Sequence, residues 1–79
     1  MPIEVLFFGA TSAITGKHRI DVDAADGKKA GEFFDQLLIE YPRLTAHKLL
    51  FSINQEYATG DEIIRDGDEI AIFTAVSGG

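Results

Sequence analysis

The chain has 79 residues, enough for one small domain with a single hydrophobic core. Hydrophobic residues make up 46% and charged residues 25% of it, as in ordinary globular domains, which argues against disorder. Thirteen acidic against seven basic residues give a net charge of −6, which disfavours partners such as nucleic acid or an anionic membrane surface. Because the chain has no cysteine, disulfides, thiolate metal sites and catalytic thiols are excluded.

The same composition predicts where the protein resides. No apolar run approaches the roughly 20 residues that span a bilayer. The chain begins Met1-Pro2-Ile3-Glu4, without the basic start of a secretory signal, and its first lysine is Lys17. We therefore expect a cytoplasmic protein.

Two segments of alternating character predict the first strands. Residues 3–8 are β-branched and aromatic, and residues 18–23 alternate with Ile20 and Val22 directed inward. Residues 11–16, which lie between them, are short and turn-like. The sequence therefore predicts an antiparallel hairpin.

The strongest periodic signal is an apolar series at the spacing of one helix face, formed by Ala30, Phe33, Phe34, Leu37, Leu38 and Tyr41. Asp26 is placed to cap the first turn of this helix. Pro42 ends it, because proline lacks an N–H donor and disfavours helical geometry in the residue before it. Gly31 lies inside the helix, at a cost of up to about 1 kcal/mol relative to alanine.

The second half of the chain predicts further strands. After a polar connection from Arg43 to His47, residues 49–54 alternate as a third strand. The sequence Asn54-Gln55-Glu56 then makes a turn, and Tyr57 begins a short fourth strand.

The last third of the chain completes the predicted sheet. Ile63-Ile64 places apolar side chains under a loop, Asp66-Gly67-Asp68 is a strong turn signal, and residues 70–76 form the final strand. The order of elements predicts an α+β domain, with a mixed sheet of four to five strands and one main helix packed on one face.

A single helix leaves the other face of the sheet uncovered. By the alternation of side chains along the strands, Phe8 and Phe73 fall on that face. Exposed aromatic residues on a small protein usually mark an interface. The alternative is that short loops cover them.

Several chemical motifs do not fit. The segment from Gly9 to Lys17 lacks the spacing of a phosphate loop and precedes a strand instead of a helix. His18 and His47 lie in no pattern typical of a metal site, and no serine lies in a G-x-S-x-G elbow. The acidic turn lacks the glycine and glutamate positions of a calcium loop, and it contains Asp66, Asp68 and Glu69. We expect no metal site, no bound cofactor and no self-contained enzyme.

The chain ends in the sequence Val76-Ser77-Gly78-Gly79. A strand that continues into two glycines makes a narrow tail that can enter a tight channel. Once a partner activates the α-carboxylate of Gly79 as an acyl adenylate, the tail can accept sulfur or an amine. The alternative is a frayed end or the remnant of a cloning linker.

Four other segments, together with this tail, carry a resemblance to a known family. They are Val5-Leu6-Phe7-Phe8, Asn54-Gln55-Glu56-Tyr57, Asp66-Gly67-Asp68-Glu69-Ile70 and Phe73. In this order the chain resembles the ubiquitin-like sulfur carriers of the β-grasp fold, most closely the small-subunit family of molybdopterin synthase. The resemblance covers the whole chain and implies one sulfur-carrier domain of residues 1–79, with 76–79 as a flexible C-terminal tail. That family usually has Pro-Pro where Thr74-Ala75 stands here.

The resemblance implies a carrier that other proteins charge and unload. An E1-like activating enzyme uses ATP to adenylate Gly79, and a sulfurtransferase step converts the terminus to a thiocarboxylate. The tail then enters the large subunit of molybdopterin synthase, where two deliveries build the dithiolene from cyclic pyranopterin monophosphate. The reactive positions implied are Gly78 and Gly79, and the partner-binding positions are Phe8, Tyr57, Phe73, Val76 and Ser77.

Three alternatives stay open. The chain can be a sulfur carrier for thiamine synthesis or tRNA thiolation, a protein modifier that forms isopeptides through Gly79, or an interaction module whose glycines are inert. Between Glu56 and Glu69 there are six acidic residues and one basic residue, Arg65. This charge predicts steering of a basic partner, although solubility explains it equally well.

Overall fold

The computed structural model describes residues 2–23 and 27–74. Its strands are β1 (Ile3–Phe7), β2 (Arg19–Val22), β3 (Leu49–Ile53), β4 (Glu56–Tyr57) and β5 (Glu69–Thr74). Its helices are α1 (Ala10–Thr15), α2 (Ala30–Glu40) and a short 3₁₀ helix (Pro42–Ala46). The sheet order is β2-β1-β5-β3-β4, with β1 and β5 parallel and the other pairs antiparallel. This mixed sheet with one main helix is the β-grasp architecture that the sequence predicted.

The core lies between α2 and one face of the sheet. Phe33, Phe34 and Leu37 of α2 are buried against it, and the ring of Phe34 stacks on that of Phe51 with centroids 3.8 Å apart. The sheet residues that are buried on this covered face are Ile3, Val5, Phe7, Ile70 and Ile72. The alternation predicted for β1 and β5 is therefore confirmed.

The helix α2 ends where the sequence predicted. Its last residue is Glu40, and Pro42 occupies the first turn of the 3₁₀ helix that follows. The connection predicted to be merely polar contains Leu44, which is fully buried in the core. A single apolar residue among polar neighbours carries no periodic signal, so the pattern did not reveal it.

The turn predicted for residues 11–16 is wrong, because α1 occupies this segment. Its threonine and serine residues are weak helix formers, which is why the sequence read as a turn. Here the Thr11 hydroxyl donates to the carbonyls of Phe8 and Ile72, at 2.6 and 3.0 Å. Gly16 ends the helix in the left-handed conformation at φ 74°. β1 and β2 do pair antiparallel as predicted, but a helix joins them.

The first turn of α2 is capped by a loop. Lys29 at the N-cap forms no side-chain capping bond, and Asp26, which the sequence predicted as the cap, lies outside the described residues. The helix N–H groups of Ala30 and Gly31 donate to the carbonyls of Glu62 and Gly60, at 2.7 and 2.9 Å. Loop carbonyls thus take the place of a capping side chain.

This contact explains the glycine inside α2. A Cβ at position 31 would lie 3.3 Å from the carbonyl oxygen of Gly60, which is closer than most such contacts allow. Gly31 therefore permits the loop to approach the helix. Of the two isoleucines predicted to lie under this loop, Ile64 is fully buried and Ile63 is 42% exposed.

The carboxylate of Glu62 fixes the shape of that loop. It accepts hydrogen bonds from the backbone N–H groups of Thr59 and Gly60, at 2.7 and 2.9 Å. The pKa of Glu62 is lowered from its ordinary value of 4.5 chiefly by the bond from Thr59, with further contributions from its own backbone and from Gly60. Glu62 therefore supports the cap of α2 in its charged form.

Within residues 2–23 and 27–74, no helix is long and apolar enough to cross a membrane. The cytoplasmic location stays a prediction.

We expect Glu62→Gln to lower stability at neutral pH, because a neutral amide offers one oxygen to the two N–H donors. A lowered native pKa means that the stabilisation is present above pH 4.5 and is lost as the pH falls through the native pKa. Urea unfolding of both proteins between about pH 7 and pH 3 measures this. The curves should converge at the acid end, and a constant difference across the range would contradict the role assigned to the carboxylate.

Candidate functional site

The register of the strands places apolar side chains together on the face of the sheet that α2 does not cover. Leu6 pairs with Ala71, and Phe73 pairs with Leu50. We call Leu6, Leu50, Tyr57, Ala71 and Phe73 the open-face patch. It lies on the central strands β1, β5 and β3 and reaches the edge strand β4.

Tyr57 and Phe73 form the most exposed part of this patch. Their ring centroids lie 6.0 Å apart, and Tyr57 is 72% exposed. Beside them is a shallow depression of about 210 Å³, lined also by Ser52 and Gln55. Two adjacent aromatic rings beside a depression can receive an apolar side chain of a partner.

Phe8 follows β1 and is 50% exposed. Its N–H donates to the carbonyl of Ile72 at 3.0 Å, and that carbonyl also accepts from the buried hydroxyl of Thr11. No described residue makes a ring contact with Phe8. The structure thus brings together two of the three aromatic residues predicted to bind a partner, and it holds Phe8 beyond the end of β1.

A hydrogen-bond cluster joins the turn before β4 to the start of β5. Asn54 donates from Nδ2 to Oδ1 of Asp68 at 3.0 Å, and its Oδ1 accepts from the N–H of Glu69 at 3.0 Å. Asn54 and Gln55 both have positive φ, as the two-residue turn between β3 and β4 requires. The cluster therefore fixes the hairpin that carries Tyr57 relative to the strand that carries Phe73.

No pattern in the sequence indicated this cluster. Asn54 lies 14 residues from Asp68, and only folding brings them together. The available signal was the asparagine itself, since asparagine tolerates positive φ and has both a donor and an acceptor.

Two of the acidic residues predicted to steer a partner have local structural roles. Glu62 holds the loop at the start of α2, and Asp68 accepts from Asn54 and from the N–H of Arg65 at 2.8 Å. The charges of Glu62 and Asp68 still contribute to the net negative charge of the protein. Steering of a partner stays a prediction.

The predicted tail residues Val76, Ser77, Gly78 and Gly79 lie outside the described residues. The last described residue is Thr74, which pairs with Leu49 at the end of β5. β5 is the central strand, and Thr74 follows Phe73 of the open-face patch.

Neither histidine lies in a metal site in the described parts of the chain. His18 and His47 are exposed, and no group of three or more histidine, aspartate or glutamate residues is arranged to hold a metal ion there.

A β-grasp sheet with one bare apolar face, followed from its central strand by a glycine-ended segment, defines the class of small ubiquitin-like proteins. The chain belongs to the ThiS family, whose model matches residues 5–79.

Similar proteins share both the sequence and the fold. The molybdopterin synthase sulfur carrier subunit of Mycobacterium tuberculosis is 36% identical, over 98% of this chain and 96% of that protein. SAMP1 of Haloferax volcanii is 26% identical over the full length of both chains, with a TM-score of 0.83. A chain in the complex of subunits 1 and 2 of molybdopterin-converting factor from Helicobacter pylori is 24% identical over the full length of both chains, with a TM-score of 0.69, and shares the fold.

We expect Asn54→Gly to destabilise the protein by about 1 kcal/mol, because glycine keeps the positive φ but removes both side-chain hydrogen bonds. Thermal or chemical unfolding measures the loss. Gln55→Gly is the matched control, since it has the same kind of backbone and forms no side-chain hydrogen bond with the described residues. Equal stability of Asn54→Gly and wild type would show that the cluster contributes nothing.

Proposed function

We propose that this protein is the sulfur-carrying small subunit of a molybdopterin synthase. The observation that carries the proposal is the position of the open-face patch beside the strand that leads into Val76-Ser77-Gly78-Gly79. One partner can then bind the patch and take up the tail at the same time. The end-to-end similarity to a protein named molybdopterin synthase sulfur carrier subunit supports the same function.

The chemistry proposed for Gly79 has two steps. Its carboxylate oxygen attacks the α-phosphate of ATP bound to an E1-like activating enzyme, which forms an acyl adenylate and releases pyrophosphate. A sulfurtransferase then supplies sulfur at the oxidation level of hydrosulfide, which attacks the acyl carbon, displaces AMP and leaves a thiocarboxylate. Sulfur is a better nucleophile than the oxygen it replaces, so the charged terminus can attack cyclic pyranopterin monophosphate.

This protein contributes to that chemistry by positioning its C-terminus. The absence of side chains at Gly78 and Gly79 lets the terminus approach both the nucleotide and the pterin closely. The protein provides the sulfur but no catalytic residue, so the groups that bind the phosphates come from the partners. Each dithiolene takes sulfur from two charged copies, and water cleaves the bond between the sulfur and the acyl carbon of Gly79, which returns the terminus to a carboxylate.

The proposed partner for the open-face patch is the large synthase subunit. The relative in Mycobacterium tuberculosis is named as a subunit, and a chain of the same fold is found in a complex of two subunits in Helicobacter pylori. An apolar patch fits a partner with an apolar pocket, and the six acidic residues from Glu56 to Glu69 fit a basic surface. We place this assembly in the cytoplasm.

A protein modifier is the second candidate. It is favoured by the similarity to SAMP1 of Haloferax volcanii, a small archaeal modifier protein. In this case a lysine amine, instead of sulfur, displaces AMP from Gly79. Adducts of higher mass in cell extract would indicate this use, whereas co-purification with a large synthase subunit would indicate sulfur delivery to the pterin.

We expect incubation with the organism's own activating enzyme, ATP and a sulfur donor to exchange one oxygen for sulfur at Gly79. Mass spectrometry of the intact protein measures the exchange, and trypsin locates it in the peptide that begins at Asp66, because Arg65 is the last basic residue. Deletion of Gly79 should abolish the exchange and leave the unfolding curve unchanged, since no core residue is removed. A protein that never acquires sulfur would refute the function.

We expect Tyr57→Ala and Phe8→Ala each to weaken binding of the large subunit by about tenfold or more, as for aromatic residues central to an interface. Isothermal titration with the purified large subunit measures this. Ile39→Ala is the matched control, because Ile39 is 74% exposed on the outer side of α2, away from the patch. Equal affinity of all four proteins would show that the partner binds elsewhere.

A further inference from the structure

The strand β2 forms one edge of the sheet, and no described strand pairs with its outer side. Its inner side pairs with β1, where the N–H of Phe7 donates to the carbonyl of His18 at 2.9 Å. Because such bonds alternate along an antiparallel ladder, the backbone groups of Arg19 and Asp21 are directed away from β1. The edge therefore offers unpaired donors and acceptors.

The charges along this edge are antisymmetric about Ile20. Lys17 and Arg19 lie before it, and Asp21 and Asp23 lie at matching distances after it. All four charged residues are exposed. A strand with this order of charges can pair antiparallel with a second copy of itself, because positive residues then lie opposite negative ones.

When two copies of β2 pair antiparallel about Ile20, each of these four charged residues lies opposite a residue of opposite charge in the other copy. Arg19 of each copy lies opposite Asp21 of the other, and Lys17 lies opposite Asp23. Each Arg19–Asp21 pair also exchanges both of its backbone N–H···O=C bonds, because these are the groups that face outward. Ile20 of one copy lies opposite Ile20 of the other at the two-fold axis.

Other registers are less favourable. A shift by two residues places Arg19 opposite Arg19, or Asp21 opposite Asp21, and like charges directly opposite are destabilising. Such a shift leaves two pairs of opposite charge, whereas the register about Ile20 has four. A shift by one residue places the apolar side chains on the wrong face. The charge pattern thus favours one register.

The surroundings of the edge admit a second strand. A groove of about 500 Å³ runs beside β2 toward α2, and it is lined by Ile20, Val22 and Tyr41 together with charged residues. In the single chain Arg19 contacts Glu4 and Asp21 at 3.3 and 3.4 Å, and its side chain is 57% exposed. It can therefore reach a partner carboxylate without breaking a buried contact.

We propose that β2 is a self-association edge through which two copies of this protein form a two-fold dimer with one continuous sheet. The strand is short, so the dimer is weak and depends on concentration and salt. Opposite residues in such a pair lie on the same face, and both open-face patches therefore stay free on one side of the joined sheet. This proposal does not depend on the function proposed above.

The test uses two variants with opposite effects on charge, Arg19→Asp and Asp21→Arg. Either one places like charges opposite each other in its own dimer, so each should self-associate at least about tenfold more weakly than wild type. An equimolar mixture restores opposite charges in every pair and should regain the wild-type affinity as a heterodimer. The double variant restores them within one chain and should also dimerise.

Sedimentation equilibrium at low salt, up to about 1 mM protein, measures the association. The two variants change the net charge equally and in opposite directions, so the mixture has the mean charge of wild type and general repulsion does not explain a rescue. Lys48→Asp is the matched control, since it makes the same charge change as Arg19→Asp at an exposed residue away from β2. Circular dichroism confirms that each variant is folded.

The expected result is a salt-sensitive wild-type dimer, loss in both single variants and recovery in their mixture. A wild type that stays monomeric at about 1 mM would overturn the proposal. So would single variants that dimerise as wild type does, or a mixture without recovery, because the dimer would then use another surface.

Discussion

The packing of α2 against the central pair β1 and β5 is the contact on which the rest of the structure depends. Phe33, Phe34 and Leu37 are the large buried side chains of the helix, and Ile70 and Ile72 in the middle of the sheet belong to the same core. In the described residues α2 is the only helix longer than two turns. It covers one face, and Tyr57 on the other face is exposed because none of the described helices covers it.

Polar contacts keep that uncovered face in one shape. The hydroxyl of Thr11 ties the end of β1 to β5, and Asn54 ties the β3–β4 hairpin to the start of β5. The carboxylate of Glu62 holds the loop that caps α2. Each of the three side chains bonds backbone groups of the chain. A preformed surface loses less conformational entropy when a partner binds.

The sequence predicts the parts of this structure that local periodicity determines. The series in α2 and the alternation in β1 and β5 identified the main helix, the sheet and the bare face. The helix α1 was missed because the hydroxyl of Thr11 bonds a carbonyl of β5 that is about 60 residues away in sequence. The buried Leu44 and the bonds of Asn54 were missed because a single residue shows no periodic pattern. At the site, the aromatic residues were predicted from alternation and resemblance. The contact between Tyr57 and Phe73 could not be predicted in this way, because it depends on the register in which β3 pairs with β4 and β5.

The two edges of the sheet differ in a way that bears on how the protein avoids unwanted pairing. The strand β4 is two residues long and presents almost no edge, so it needs no further protection. The strand β2 is longer and bears charges, which is the usual defence of an edge against aggregation. Charges of one sign would repel every copy in every register. The antisymmetric order around Ile20 gives the most pairs of opposite charge in one register and places like charges opposite each other when the strands shift by two residues, so the same residues that disfavour other pairings permit a closed pair. Because a two-fold pair uses both copies of the edge, no further copy can add there, and association stops at the dimer.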